Sequence, residues 1–304
     1  RSLTTMVPAY QSFTPASARA TLKRACAEQG LTDRDAELVR FGENAIYRLP
    51  EHDVIARIAR YPATAEKEVH VARWLAEHEF PAAELAAGLE QLQTVNGTVV
   101  TWWEWIEESI EPPTFVDLAH TLRRLHDLPS PNFALPQFEP MALVQARLDA
   151  LADGPIASAE LEWLHHRYRH LQRAYEELPF ALEPGVIHGD AHIGNLMRDS
   201  RGVIRLIDFE AVSHGPREWD VSILGAAWAG FGWMDESEYR QCTRVYGFDP
   251  VAWAGFPTMR AIRELNMTTW LAQRLGESAD LDREVHQRLG DLRNGEAVRD
   301  WRPF

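Results

Sequence analysis

Apolar and polar positions repeat with two different periods along the chain. Over residues 17–28 Ala, Leu and Cys recur at helical spacing, and Gly30 stands just beyond as a stop. Residues 41–49 and 54–58 alternate with period two around Pro50-Glu51-His52-Asp53, which predicts strand, turn, strand. Residues 65–77 return to helical spacing, with Val69, Ala72, Leu75 and Ala76 inward. Residues 91–95 and 98–106 flank Asn96-Gly97, the strongest two-residue hairpin signal, and the second strand runs into Glu107-Glu108 and Pro112-Pro113. From there the pattern is mostly helical: 114–127 behind a Thr114 cap, with Leu118, Leu122 and Leu125 on one face, then 141–152 and 158–178 after a Pro-rich connection at 129–140. Apolar runs at 185–187 and 203–207 read as short strands, and helices are expected at 221–228, 237–246, 250–274 and 280–296.

Composition narrows the function. With 304 residues the chain is long enough for two lobes, and 45% hydrophobic with 25% charged residues is a soluble globular balance. A net charge of −14 disfavours nucleic acid or an anionic membrane as the main partner and suits a cationic substrate. The two cysteines, Cys26 and Cys242, have no metal or redox spacing and imply a reducing compartment. The longest weakly polar run, 223–233, is too short to span a bilayer, and the N-terminus lacks a signal-peptide core, so a cytoplasmic location is expected. Arg1 is not a natural start, and residues 1–5 read as an addition ahead of Met6.

Candidate chemistry concentrates in residues 186–210, VIHGDAHIGNLMRDSRGVIRLIDFE. A strand end at Gly185-Val186-Ile187 gives way to His188-Gly189-Asp190 on a glycine-permitted bend. Asn195 follows, and Asp199-Ser200-Arg201-Gly202 carries turn chemistry before the chain returns as a strand to Asp208. A turn centred near Arg201-Gly202 pairs residues whose numbers sum to 403, which sets Asn195 opposite Asp208. One amide and one carboxylate make a hard oxygen pair suited to Mg²⁺ carried on phosphates, and Asp190 is left to accept a proton from a hydroxyl. Taken singly, Asp and Asn are ordinary turn residues; their order and spacing carry the reading.

At these residues the chain resembles the aminoglycoside phosphotransferase and choline kinase family, whose H-G-D-x-H-x-x-N and I-D-F-E signatures match His188 to Asn195 and Ile207 to Glu210. Protein kinases likewise place Asp and Asn five residues apart ahead of a metal-binding Asp-Phe. The resemblance implies an α+β, bilobal protein-kinase-like fold with a small β-sheet lobe over residues 1–107 and a mainly helical lobe over 108–304. It implies a glycine loop in which Gly42 and Asn44, with Tyr47, approach the phosphates, and makes Arg57 the basic residue on the α- and β-phosphates, where protein kinases use Lys. Glu68 aligns with the family's orienting glutamate, and Glu66 is its rival on helical geometry. It makes Glu104 C=O and Ile106 N–H the adenine-edge pair, with Trp102, Trp103 and Trp105 packing nearby. His188 and Asp220 would support the catalytic loop, and His126 would be structural. No Ala-Pro-Glu or long activation segment follows Asp208, which points away from a protein acceptor.

The expected reaction is transfer of the γ-phosphoryl group of ATP, with GTP an alternative, to a hydroxyl of a small molecule, with Mg²⁺ on Asn195 and Asp208. An aminoglycoside-type antibiotic leads among acceptors, which makes a resistance enzyme the leading role. Choline-like amines, amino-sugars, nucleoside-type or macrolide antibiotics and homoserine are the alternatives, and a non-catalytic ATP-binding regulator is the reading from another class. Carboxylates Asp235, Glu236, Glu238 and Glu264 could meet substrate amines, and Trp228, Trp233 and Trp270 could floor a sugar or cage an amine. As solvated charges and core aromatics these seven are each ordinary. Both monomer and homodimer are compatible with the sequence.

Overall fold

The computed structural model describes residues 13–42, 44–152, 154, 156–295 and 298–301. The reading of residues 1–5 and the end of the last helix at Glu296 lie outside them. The chain divides into two compact units, residues 1–110 with 198–210 and residues 111–197 with 211–304.

The first unit opens with α1 (Pro15–Gln29), whose Thr14 side chain caps the Ser17 amide while Gly30, at φ 71°, closes the other end. The single strand expected over 41–49 is two strands, β1 (Glu37–Phe41) and β2 (Asn44–Leu49). The Gly42 amide donates to the Asn44 carbonyl and turns the chain between them. With β3 (Val54–Ala59), β4 (Gln93–Val95) and β5 (Thr98–Glu104) they form one antiparallel sheet in the order β1-β2-β3-β5-β4. Val54, Ala56 and Ile58 of β3 join Leu22, Ala25 and Cys26 of α1 in one apolar cluster, so the pleat turns Arg57 to the opposite face. Here α2 (Pro62–Glu77) buries Glu68 along with Val69, Ala72 and Leu75. It starts earlier than its apolar spacing suggested because Pro62 is well suited to a first turn. β5 stops at Glu104 rather than Ile106: the Trp105 amide makes one more in-register hydrogen bond, to Asp53 C=O, and there the partner strand turns at φ 50°.

The second unit begins with α3 (Phe115–His126), closed at its start by a Thr114–Asp117 capping box. Next come α4 (Ala142–Leu151), α5 (Ser158–Glu176), β6 (Gly185–Ile187) and β7 (Leu196–Arg198), within which the chain passes into the first unit. There β8 (Ile204–Leu206) is tied down by Leu206, which exchanges main-chain hydrogen bonds with Pro81 C=O and Ala83 N–H. The Asp199 amide donates to Val203 C=O, a pair summing to 402 rather than the 403 expected. The reason is a three-residue loop: Asp199 Oδ1 accepts from the Arg201 and Val203 amides, and Gly202 takes φ 84°.

Back in the second unit, β9 (Ser213–Gly215) pairs antiparallel with β6, a three-residue strand too short to be foreseen. α6 (Arg217–Gly225) begins four residues before the expected helix, so Asp220 lies in its first turn. A π-helical turn (Ala226–Gly230), α7 (Glu236–Tyr246), α8 (Phe256–Ala272) and α9 (Ala279–Arg293) complete the unit. Val144, Leu148, Leu164, Met259, Ile262, Leu265 and Leu289 form its apolar centre. Among the described residues no helix is long and apolar enough to cross a membrane.

Candidate active site

In the second unit the β6 strand delivers His188-Gly189-Asp190 to a loop held from beneath by one carboxylate. Asp220 is fully buried, and its two oxygens accept the His188 amide at 2.7 Å and the Gly189 amide at 3.0 Å. His126 Nε2 lies 3.0 Å from the same carboxylate, and Tyr246 Oη is 2.7 Å from His126 Nδ1. A carboxylate only accepts, so Nε2 donates to it. The loop cannot shift easily: Gly189 has φ 82°, and a Cβ there would sit 2.2 Å from Ala211 O. The Trp219 indole donates to Gly189 O at 2.7 Å. Below it the buried Arg263 guanidinium lies 4.4 Å from the Trp219 ring and donates to Ser222 Oγ at 2.8 Å.

Asp190 itself is exposed. Desolvation raises its carboxyl, but the His192 imidazole, 3.6 Å away, and positive charge at His188 and Arg263 outweigh it and hold the group at about 2. His192 Nδ1 accepts the Gly194 amide at 3.1 Å, which leaves the ring proton on Nε2, facing Asp190. The Asn195 amide nitrogen donates to the Asp190 carbonyl at 2.8 Å, so its oxygen is the end available to a cation.

In the first unit the basic residue on β3 is clamped. Arg57 Nη1 donates to Glu68 Oε1 at 2.6 Å and Nη2 to Glu210 Oε2 at 3.0 Å. Glu68 is 2% exposed while Glu66 lies on the surface, which separates the two candidates. Burial pushes the Glu68 carboxyl up, against the Arg57 charge and with help from Glu210 and Asp208. Asn44 Nδ2 stands 3.5 Å from Glu210 Oε1, and Lys67 Nζ lies 2.5 Å from the Glu210 carbonyl. Asp208 adopts φ 63°, and its Oδ1 faces the Glu210 amide at 3.4 Å. Glu104 ends β5 with Ile106 just beyond it, while Trp105 takes the Arg48 guanidinium 4.1 Å over its ring. Trp102 is buried in the α1-side cluster and Trp103 packs 5.9 Å from Phe209.

Most of the suggested acceptor contacts are otherwise engaged. Glu264 is 4% exposed; Arg260 reaches its Oε1 at 2.8 Å and Arg299 its Oε2 at 3.3 Å, so it offers no open carboxylate to an amine. Asp235 caps α7 through the Glu238 amide, and Glu236 pairs with Arg240. Trp233 stacks on Phe231 and donates to Trp301 O; Trp228 stacks on Tyr239. Trp270 keeps 38% of its surface exposed. Lys67, Glu210, His192 and Arg263 were not singled out from the sequence, although Glu210 closes the I-D-F-E signature and His192 lies inside H-G-D-x-H.

A model of the phosphotransferase enzyme family (APH) matches residues 37–265. The chain belongs to that family. As a member it is a small-molecule phosphotransferase. Its protein-kinase-like fold is shared with a choline/ethanolamine kinase family protein from Mesorhizobium loti, at 18% identity and TM-score 0.63 over 92% of this chain and 93% of that one. It is shared also with the amicoumacin kinase hAmiN in complex with AMP-PNP, Ca²⁺ and Ami, at 16% identity and TM-score 0.67 over 92% and 95%. A spectinomycin phosphotransferase, APH(9)-Ia, in complex with ADP and spectinomycin, matches at 14% and 0.62 over 92% and 95%. None of the curated proteins compared with the phosphotransferase is significantly similar to it in sequence.

Proposed function

We propose that this phosphotransferase moves the γ-phosphoryl group of ATP to a hydroxyl of a small molecule, with Asp190 as the residue that engages the hydroxyl. The observation that carries the reading is the pinned loop: an exposed, ionised Asp190 on a backbone fixed by buried Asp220. It would orient the hydroxyl in line or accept its proton as the phosphoryl group transfers. Arg57, held by Glu68 and Glu210, would place the α- and β-phosphates, and the Gly42 backbone with Asn44 would close over them. Glu104 C=O and Ile106 N–H would take the base edge, an arrangement that leaves GTP as an alternative donor.

The donor set fits a divalent ion: the Asn195 amide oxygen and the Asp208 carboxylate are hard ligands, too few for an all-protein cage, which suits Mg²⁺ arriving with phosphates. Such an ion, when bound, neutralises charge on the phosphates. Asp208→Ala is expected to abolish the metal-dependent part of nucleotide binding, measured calorimetrically with and without Mg²⁺; equal affinities in wild type and variant would remove Asp208 from the metal.

For the acceptor, family membership and the charge of −14 support an aminoglycoside-type compound with a cytoplasmic resistance role, Trp270 being the exposed aromatic at hand. A panel of hydroxyl compounds in amine-bearing and acid-bearing pairs, scored by mass for an added phosphoryl group, tests this reading: preference for the amine members supports it, and preference for the acidic members or no product from any member counts against it.

A further inference from the structure

At φ 63° Asp208 is a non-glycine residue in the left-handed region, a conformation Asp adopts more readily than most residues but still an uncommon one that its surroundings help to hold. Two neighbours do so within the first unit. Phe209 is 1% exposed and packs its ring near Trp103. On the other side the Glu210 main chain is fixed at both ends, its amide facing Asp208 Oδ1 and its carbonyl receiving Lys67 Nζ at 2.5 Å.

Lys67 sits in a Glu-Lys-Glu run that reads as solvated helix surface, yet its side chain is half-buried. Burial pulls its ammonium down, with Glu68 and Glu210 opposing. A lysine normally keeps its compact, strongly hydrated charge in water. Here it gives up part of that hydration for a charge-assisted hydrogen bond to a main-chain carbonyl. The target is the residue whose carboxylate also holds Arg57 and faces Asn44.

We propose that Lys67 is a positioning residue for the metal–nucleotide complex: by holding the Glu210 carbonyl it keeps the Asp208-Phe209-Glu210 turn in the form that presents the Asp208 carboxylate to the metal. This rests on the assignment of Asp208 to the metal. Lys67 acts through Asp208, so its loss weakens the metal requirement before it weakens the nucleotide contacts that Arg57 makes.

The test is Lys67→Gln with Lys67→Arg beside it, in the full chain, reading the Mg²⁺ concentration for half-maximal activity, KM for ATP, kcat, and ATP binding in EDTA. Lys67→Gln is expected to raise the half-maximal Mg²⁺ concentration and the KM at low Mg²⁺ by about tenfold, the scale of one charge-assisted hydrogen bond. Excess Mg²⁺ should restore most of kcat, binding in EDTA should stay unchanged, and Lys67→Arg should behave much like the wild type. An unshifted Mg²⁺ requirement in Lys67→Gln overturns the proposal, as does an equal loss of ATP affinity with and without metal, which would make Lys67 a direct phosphate contact. Lys67→Met, with matching thermal unfolding, replaces Lys67→Gln if the glutamine variant is unfolded. Asp208→Ala run in parallel keeps the premise separate: if it too leaves the Mg²⁺ requirement in place, the metal assignment fails first.

Discussion

Replacing Asp190 by alanine should lower the rate of phosphoryl transfer by about 10²–10⁴-fold, the range for a side chain that acts on the proton of the reacting group. Nucleotide affinity should hardly move. The residues proposed for the phosphates, Arg57 with Glu68 and Glu210, make their ion pairs without Asp190. The residue under the loop, Asp220, is untouched, so Gly189 and His188 keep their acceptor. Because the side chain is exposed, its removal leaves no cavity and should cost little stability. The expected signature is therefore a fall in kcat with KM for ATP and the melting temperature preserved. A rate within threefold of wild type would take the hydroxyl away from Asp190.

Replacing Asp220 by alanine should produce the opposite signature, in which folding and activity fail together. The change strips the acceptor from two main-chain amides and from His126 Nε2, and removes a carboxylate that offsets the buried Arg263 charge. Breaking a buried charged network from one side costs about 3–5 kcal/mol, a large part of the stability of a domain. Asp220→Asn should cost less, because it keeps the shape and one accepting oxygen. The pH dependence has a definite sign. Burial raises the Asp220 carboxyl, but the His126 hydrogen bond, the charges of His126 and His188 and the His188 amide outweigh it, so the folded value lies below the ordinary carboxyl range. A depressed folded value means the contribution is fully present above the unfolded carboxyl value of about 3.9 and is lost as the pH falls below it, through the folded value. Thermal unfolding of wild type and Asp220→Asn should thus differ by a constant amount from neutral pH down to about 4 and converge only below that. Convergence already near pH 6 would contradict a depressed Asp220 carboxyl.

The proposed site could be read from the sequence to the extent that its residues are close together: Asp190, Asn195 and Asp208 lie on one stretch. Glu68 was favoured by the resemblance over its rival on helical geometry, Glu66, and burial agrees with that choice. Lys67 was out of reach because its partner is a main-chain carbonyl 143 residues away, and a carbonyl has no residue type to read. Glu264 was misread for a related reason: one of its two arginines, Arg299, comes from 35 residues further on, so an acidic side chain that looked free is paired. The fold shows the same division. Capped helices and the Asn-Gly hairpin were plain, whereas β9, three residues recognised only by pairing with β6, was not.

The central claim is that ATP gives its terminal phosphoryl group to a hydroxyl of a small molecule, and product accounting tests it most directly. The purified chain, ATP, Mg²⁺ and each member of the acceptor panel are followed by phosphorus NMR. One phosphate monoester formed for each ADP released, with little inorganic phosphate, is the predicted result. ADP matched only by inorganic phosphate across the whole panel, or no consumption of ATP at all, would contradict it.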